Sequence, residues 1–147
     1  MTISDSSLNE ISPITATVVP NSERLDFFPT YFGKYFSAGE NLLYVLARKF
    51  VKDYDGGYWN FYTLSNGGFF VALDTDKKLN VVVPGNYCSE LMSAESAGIT
   101  LMLFVLGRLC GARIPEAEAE RFIELYHKLR QYALAHAESQ AILTAID

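Results

Sequence analysis

The residues of this chain whose types could do chemistry are two histidines, two cysteines and a scatter of carboxylates. Nucleophilic catalysis needs a thiol or hydroxyl beside a base that is itself oriented. Cys88 sits in a Gly- and Asn-containing loop after an expected strand end, the best place in the chain for a reactive thiol. It has no helix N-terminus and no His at recognisable spacing to lower its pKa. His127 lies between Tyr126 and Lys128 with no Ser or Cys motif pointing to it, so it reads as a helix-surface histidine. Cys88 and Cys110 make no metal-ligand spacing with His127 or His136. Asp53-Tyr54-Asp55-Gly56-Gly57 pairs two acids in a loop but lacks the spread ligand set and the distal Glu of a calcium-binding EF-hand. The glycines of Ser65-Asn66-Gly67-Gly68 form neither a dinucleotide fingerprint nor a phosphate loop, and turn duty accounts for them. No catalytic residue, cofactor, metal site or small-molecule substrate is expected.

Charge supplies two further candidates. Glu116, Glu120 and Glu124 would stand about 6 Å apart along one helical face, near the spacing of phosphates on a DNA strand. Arg113, Arg121, Lys128 and Arg130 are interspersed among them, and a mimic of a whole duplex should be far more acidic than the formal charge of −5. A salt-bridged solvent face is the simpler reading. That same charge argues against direct nucleic-acid binding, whose footprint is a basic stripe. The densest cations, Arg48, Lys49 and Lys52, fall at the end of an expected helix, where they suit its dipole.

The elements that must position these residues centre on Gly56 to Gly85. Asn66-Gly67 predicts a two-residue type I′ hairpin, with Leu64 facing Phe69, Tyr62 facing Val71 and Asn60 facing Leu73. The polar turn Asp74 to Lys78 then leads to Leu79–Val83 as the third strand of an antiparallel meander, ended by Pro84. The strand from Tyr58 to Leu64 is apolar on both faces, so the sheet is covered on both sides or offers one to a partner. Phe27 to Phe36, aromatic at more than half its positions, is expected to cover one side. Glu40 to Lys52 reads as an amphipathic helix burying Leu42, Leu43, Leu46, Ala47 and Phe50. Ser93 caps a helix through Cys110 that is apolar nearly all round between Ala97 and Leu106, hence central. Its Gly98 and Gly107 are tolerable if they permit close packing on the sheet. Pro115 opens a helix with Phe122, Tyr126, Leu129 and Ala133 inward, and a short helix from Glu138 to Ile146 buries Ile142, Leu143 and Ile146.

A chain of 147 residues, half of them apolar, with one Trp, nine Tyr and ten Phe, fits a single packed domain. The class is α+β: a three-stranded antiparallel β-meander packed with several helices. Residues 1–20 are expected to form a flexible tail, with Ala16 to Pro20 either a short strand or simply extended, and 21–147 the domain. The N-terminus carries Asp5 and Glu10 with no apolar core of a signal peptide, so a cytoplasmic protein with reduced thiols is expected. The longest uncharged run, Ser96 to Gly107, falls short of the ~20 residues that span a membrane.

Five blocks in order carry a family resemblance: LDFFPTYFGKYF (Leu25 to Phe36), GGYWNFYTLSNGGFF (Gly56 to Phe70), VVVPGN (Val81 to Asn86), MSAESAGI (Met92 to Ile99) and AILTAID (Ala141 to Asp147). Together they resemble the ArdB/KlcA antirestriction proteins from Arg24 to the C-terminus. The resemblance implies an inhibitor of host type I restriction of incoming DNA, carried on plasmids and other mobile elements and not itself an enzyme. Its implied partner is the type I restriction-modification complex. It assigns no contact residues. The physical reading favours protein–protein contact over DNA mimicry, with a DNA-binding protein that shields DNA as the alternative. Asn60, Asn86, Tyr87, Ser89 and Asp147 are the expected contact residues, polar or amphipathic groups at loop or chain ends, although each also fits a turn or cap.

Overall fold

The structure is a computed structural model and describes residues 13–147. Strand β1 (Ala16–Val18) is followed by a 3₁₀ turn (Asn21–Asp26), α1 (Phe27–Phe32), a second 3₁₀ turn (Gly33–Tyr35) and α2 (Phe36–Phe50). Then come β2 (Trp59–Leu64), β3 (Phe69–Leu73), β4 (Leu79–Val83), a 3₁₀ turn (Pro84–Asn86) and β5 (Cys88–Met92). Helices α3 (Ala94–Cys110), α4 (Glu116–Leu134) and α5 (Ser139–Ile146) complete the chain. The expected α+β class, with a three-stranded antiparallel sheet packed by helices in one domain, is what the structure has. Most of the expected tail, residues 1–12, lies outside the described residues.

The third strand of that sheet is β1, not Leu79–Val83: the order is β1-β2-β3, and β4 pairs with β5 in a separate two-stranded sheet. The reason lies in α3. Phe61 and Val71 are opposite one another in the ladder, and the Leu64–Gly68 bond below them fixes which pairs exchange hydrogen bonds. By that alternation the Val71 carbonyl points away from β2. Gly98 of α3 lies against it so closely that an added Cβ would fall 1.8 Å from the oxygen. A helix on the edge leaves no room for a further strand.

The hairpin register also differs by one residue. Phe61 faces Val71 and Tyr62 faces Phe70. Of the two expected turn residues only Gly67 has a positive φ, 93°, so the turn is not type I′. The Gly67 N–H donates to Leu64 O and the Gly68 N–H to Asn66 Oδ1, giving a three-residue loop with glycine in the left-handed position. The sequence pattern does not discriminate the registers, because β3 is buried at every position from Phe69 to Ala72.

Aromatic rings cover one sheet face as expected: Phe27 stacks on Phe61 at 4.6 Å, Tyr31 on Phe69 at 4.2 Å, and Phe32 meets Phe69 edge-on. On the other face Tyr62, Phe70 and Tyr132 of α4 form a stack. Helix α3 runs between, with Ile99, Met102, Leu103 and Leu106 buried. Helix α2 starts at Phe36, earlier than expected, and buries Gly39, Leu43, Leu46, Ala47 and Phe50, with Leu42 half-buried. Leu125 rather than Tyr126 is fully buried in α4. In α5, Ile142 and Ala145 are inside while Leu143 and Ile146 are half-buried.

Candidate protein-contact surface

The expected contact residues divide between two places. At the first, Pro84 opens a 3₁₀ turn whose last residue, Asn86, donates from Nδ2 to the Ala145 carbonyl of α5 at 2.6 Å. Asn86 therefore has the structural role open to it, pinning this turn to the end of α5 two residues before Asp147. The clamp delivers Tyr87 in a left-handed conformation, φ 53°, with its side chain 97% exposed. A bulky residue in that region stores strain, and such positions persist where surrounding structure holds them. Ser89 follows on β5, exposed beside Glu90 and Leu91, while Cys88 and Met92 turn inward. The structure thus brings Asn86, Tyr87, Ser89 and Asp147 to one end of the molecule. Asn60 stands apart, half-buried on β2, where it lines a groove of about 370 Å³ with Tyr62, Asp74, Lys78, Ser93 and Glu95.

Behind that groove lies a polar network that the sequence reading does not anticipate. The Ser93 hydroxyl caps α3 by accepting from the Ser96 N–H, and the Glu138 carboxylate reaches the same helix end from the α4–α5 corner. It accepts from the Ser93 N–H, from both serine hydroxyls and from Lys78 Nζ at 3.2 Å. Burial opposes its ionisation, but the hydrogen bonds from Ser93, Ser96 and Lys78 outweigh that and hold its pKa down to about 2. This is a capping box whose acid comes from the corner between two other helices. Beside it, His136 Nδ1 accepts from the Glu138 N–H, which places its proton on Nε2, 2.7 Å from Glu95 Oε2. The His136 hydrogen bond, against the opposing effect of burial, lowers the Glu95 pKa. Burial first, and then Glu95, raises Tyr132 to about 12. Both His136 nitrogens are engaged by these partners, and a carboxylate with a pKa of about 2 is a weak base for the two serine hydroxyls that donate to it, so the arrangement reads as a fastening. Ser93 as a cap is legible in the sequence; Glu138, 45 residues away, carries no local signal.

The other chemical candidates resolve similarly. Cys88 is buried, its Sγ 3.7 Å from Val81 O, and burial pushes its thiol up, with Glu90 adding to the effect. His127 is exposed and meets the Tyr126 ring edge-on. Among the described residues no three His, Cys, Asp or Glu gather as for a metal ion. Glu116, Glu120 and Glu124 are exposed along α4, but Glu124 is paired with Lys128 at 3.2 Å, and Arg121 on the same helix donates to Tyr31 O. Arg48, Lys49 and Lys52 have no carboxylate within 4.0 Å among the described residues, and they border a groove with Tyr54 and Val82.

Comparison with known proteins adds the family context. A family model described as antirestriction protein matches residues 52–147. Two Escherichia coli proteins named antirestriction protein KlcA are similar along nearly their whole length. One is 43% identical over 136 residues, covering 92% of this chain and 96% of its own. The other is 44% identical over 139 residues, covering 92% and 95%. A solved structure with 43% identity superposes with a TM-score of 0.84, covering 92% of this chain and 96% of that one. It belongs to work on the KlcA and ArdB proteins that describes a novel fold and antirestriction activity against type I DNA restriction systems in vivo but not in vitro.

Proposed function

This chain belongs to the antirestriction protein family, and we propose that it protects incoming DNA from type I restriction by touching a protein surface of the restriction complex. It does so without a reaction of its own and without imitating DNA. The observation that carries this reading is the 84–91 segment, where Tyr87 is held out in a left-handed conformation and Leu91, 68% exposed, follows four residues on along β5. Exposed, preorganised aromatic and aliphatic groups are the usual anchors of protein interfaces. The interrupted glutamate row on α4 and the charge of −5 weigh against mimicry of a duplex. The KlcA and ArdB relatives act in vivo but not in vitro, which fits a contact made with the complex as it is assembled in the living cell. The setting is the cytoplasm, and the beneficiary is mobile DNA such as a plasmid.

The test is plating of unmodified phage on restricting cells with and without the protein. Protection lost in Tyr87→Ala and Leu91→Ser variants that still fold supports the reading; full restriction in the presence of folded wild-type protein contradicts it. The second reading, a protein that binds and shields DNA, draws on Arg48, Lys49 and Lys52, which have no carboxylate partner among the described residues. Tight, salt-dependent binding of purified protein to bare duplex would favour it.

A further inference from the structure

We propose that the outer face of the β4–β5 hairpin, from Tyr87 and Leu91 across Val82 to Arg48, Lys49 and Lys52, docks an acidic, extended segment of a partner protein. This rests on the functional reading above and names the chemistry of the partner. The face is continuous and stiff. Val51, just past α2, bridges to Val81, and the Lys52 N–H donates to Asn80 O at 3.0 Å, so the basic end of α2 is bonded to β4. In the ladder Asn80 faces Leu91 and Val82 faces Ser89. By strand alternation these four and Lys52 share the outer side, while Val81, Val83, Cys88 and Met92 are buried inside. Val82 itself lines the groove with Arg48, Lys49 and Lys52.

Three features select the occupant. The cations lack carboxylate partners among the described residues, so an incoming acid meets them without displacing an existing pair. The outer side presents Asn80 and Val82 of β4 and Ser89 and Leu91 of β5 as a strip two strands wide, which suits an extended segment laid across it from Tyr87 to the cations. Val82, Leu91 and Tyr87 supply apolar contact along that strip. A second copy of this chain fits poorly, because β5 paired antiparallel with itself about Glu90 sets two like charges face to face. A duplex also fits poorly: Asp53 lines the same groove, and three cations in one cluster make no basic stripe along which phosphates could run.

The experiment compares wild type, Arg48→Glu/Lys49→Glu/Lys52→Glu, and Lys77→Glu/Arg108→Glu/Arg113→Glu, which makes the same charge change elsewhere. Protection of unmodified phage is measured in restricting cells, and folding of each purified variant by its thermal melt. The patch variant is expected to lose protection by about tenfold or more, with the control within about twofold of wild type. Equal protection by the patch variant overturns the proposal, as does equal loss in the control. If reversal unfolds the protein, the Gln triple at the same three positions decides by the same criterion. A gel shift with bare duplex that depends on the three cations assigns the patch to DNA, and a dimer that the patch variant dissolves assigns it to a second copy; both overturn the proposal. Failure of folded wild type to protect sinks the functional reading and this inference with it.

Discussion

Gly98 and Gly107 look alike in the sequence, two glycines in one buried helix, yet they do different work. At Gly98 a Cβ would meet Val71 O at 1.8 Å, whereas at Gly107 the nearest atom is Tyr126 Cε2 at 3.9 Å. Gly98→Ala should therefore destabilise by about 3 kcal/mol or more, while Gly107→Ala stabilises by up to about 1 kcal/mol, both read from chemical denaturation. Glu138 gives a second residue-level expectation. Its folded pKa of about 2 lies below the unfolded carboxylate value, so its contribution is complete at neutral pH, weakens below about pH 5 and is gone once pH falls through about 2. Glu138→Gln should flatten that acid limb of the stability curve while destabilising at pH 7 by about 1–2 kcal/mol. The residues of the proposed contact end are expected from the sequence only as polar or amphipathic groups at loop or chain ends. What the sequence did not carry was their division of labour, since Asn86 is consumed by Ala145 O and Tyr87 is left outside.

At the scale of elements, α3 was readable almost to the residue because several local signals agree: a Ser93 cap, an apolar run on all sides, and a return to charge at Arg108. The hairpin was readable as a hairpin but not in register, because Phe69 to Ala72 are buried on both faces and the turn alone had to choose. Asn66 is not in the left-handed region; its side chain instead accepts from the Gly68 N–H and donates to Lys128 O at 2.9 Å. Asn66→Gly should thus destabilise by about 1–2 kcal/mol in thermal or urea unfolding. A type I′ turn would have tolerated that glycine or gained from it. That Ala16 to Pro20 could form a short strand was legible, but its place as the third strand was not, since the free β3 edge is taken by a distant helix that Gly98 brings onto it.

For the whole molecule, most of the apolar and aromatic residues go into one core, and the polar network at the start of α3 fastens helices to one another. On the proposed reading function falls to the exterior, where two features compete: the α4 glutamates and the hairpin end. Glu116→Gln/Glu120→Gln/Glu124→Gln should leave phage protection unchanged within about twofold in a plating assay, because those acids are dispersed among cations and form no phosphate-like row. The most direct measurement replaces Ser89, exposed on β5 between Tyr87 and Leu91, with a photo-crosslinking amino acid in restricting cells challenged by unmodified phage. The account predicts a covalent product joining this chain to a subunit of the restriction complex, in cells where protection is intact. Intact protection with crosslinks to DNA alone, or with none, would contradict it.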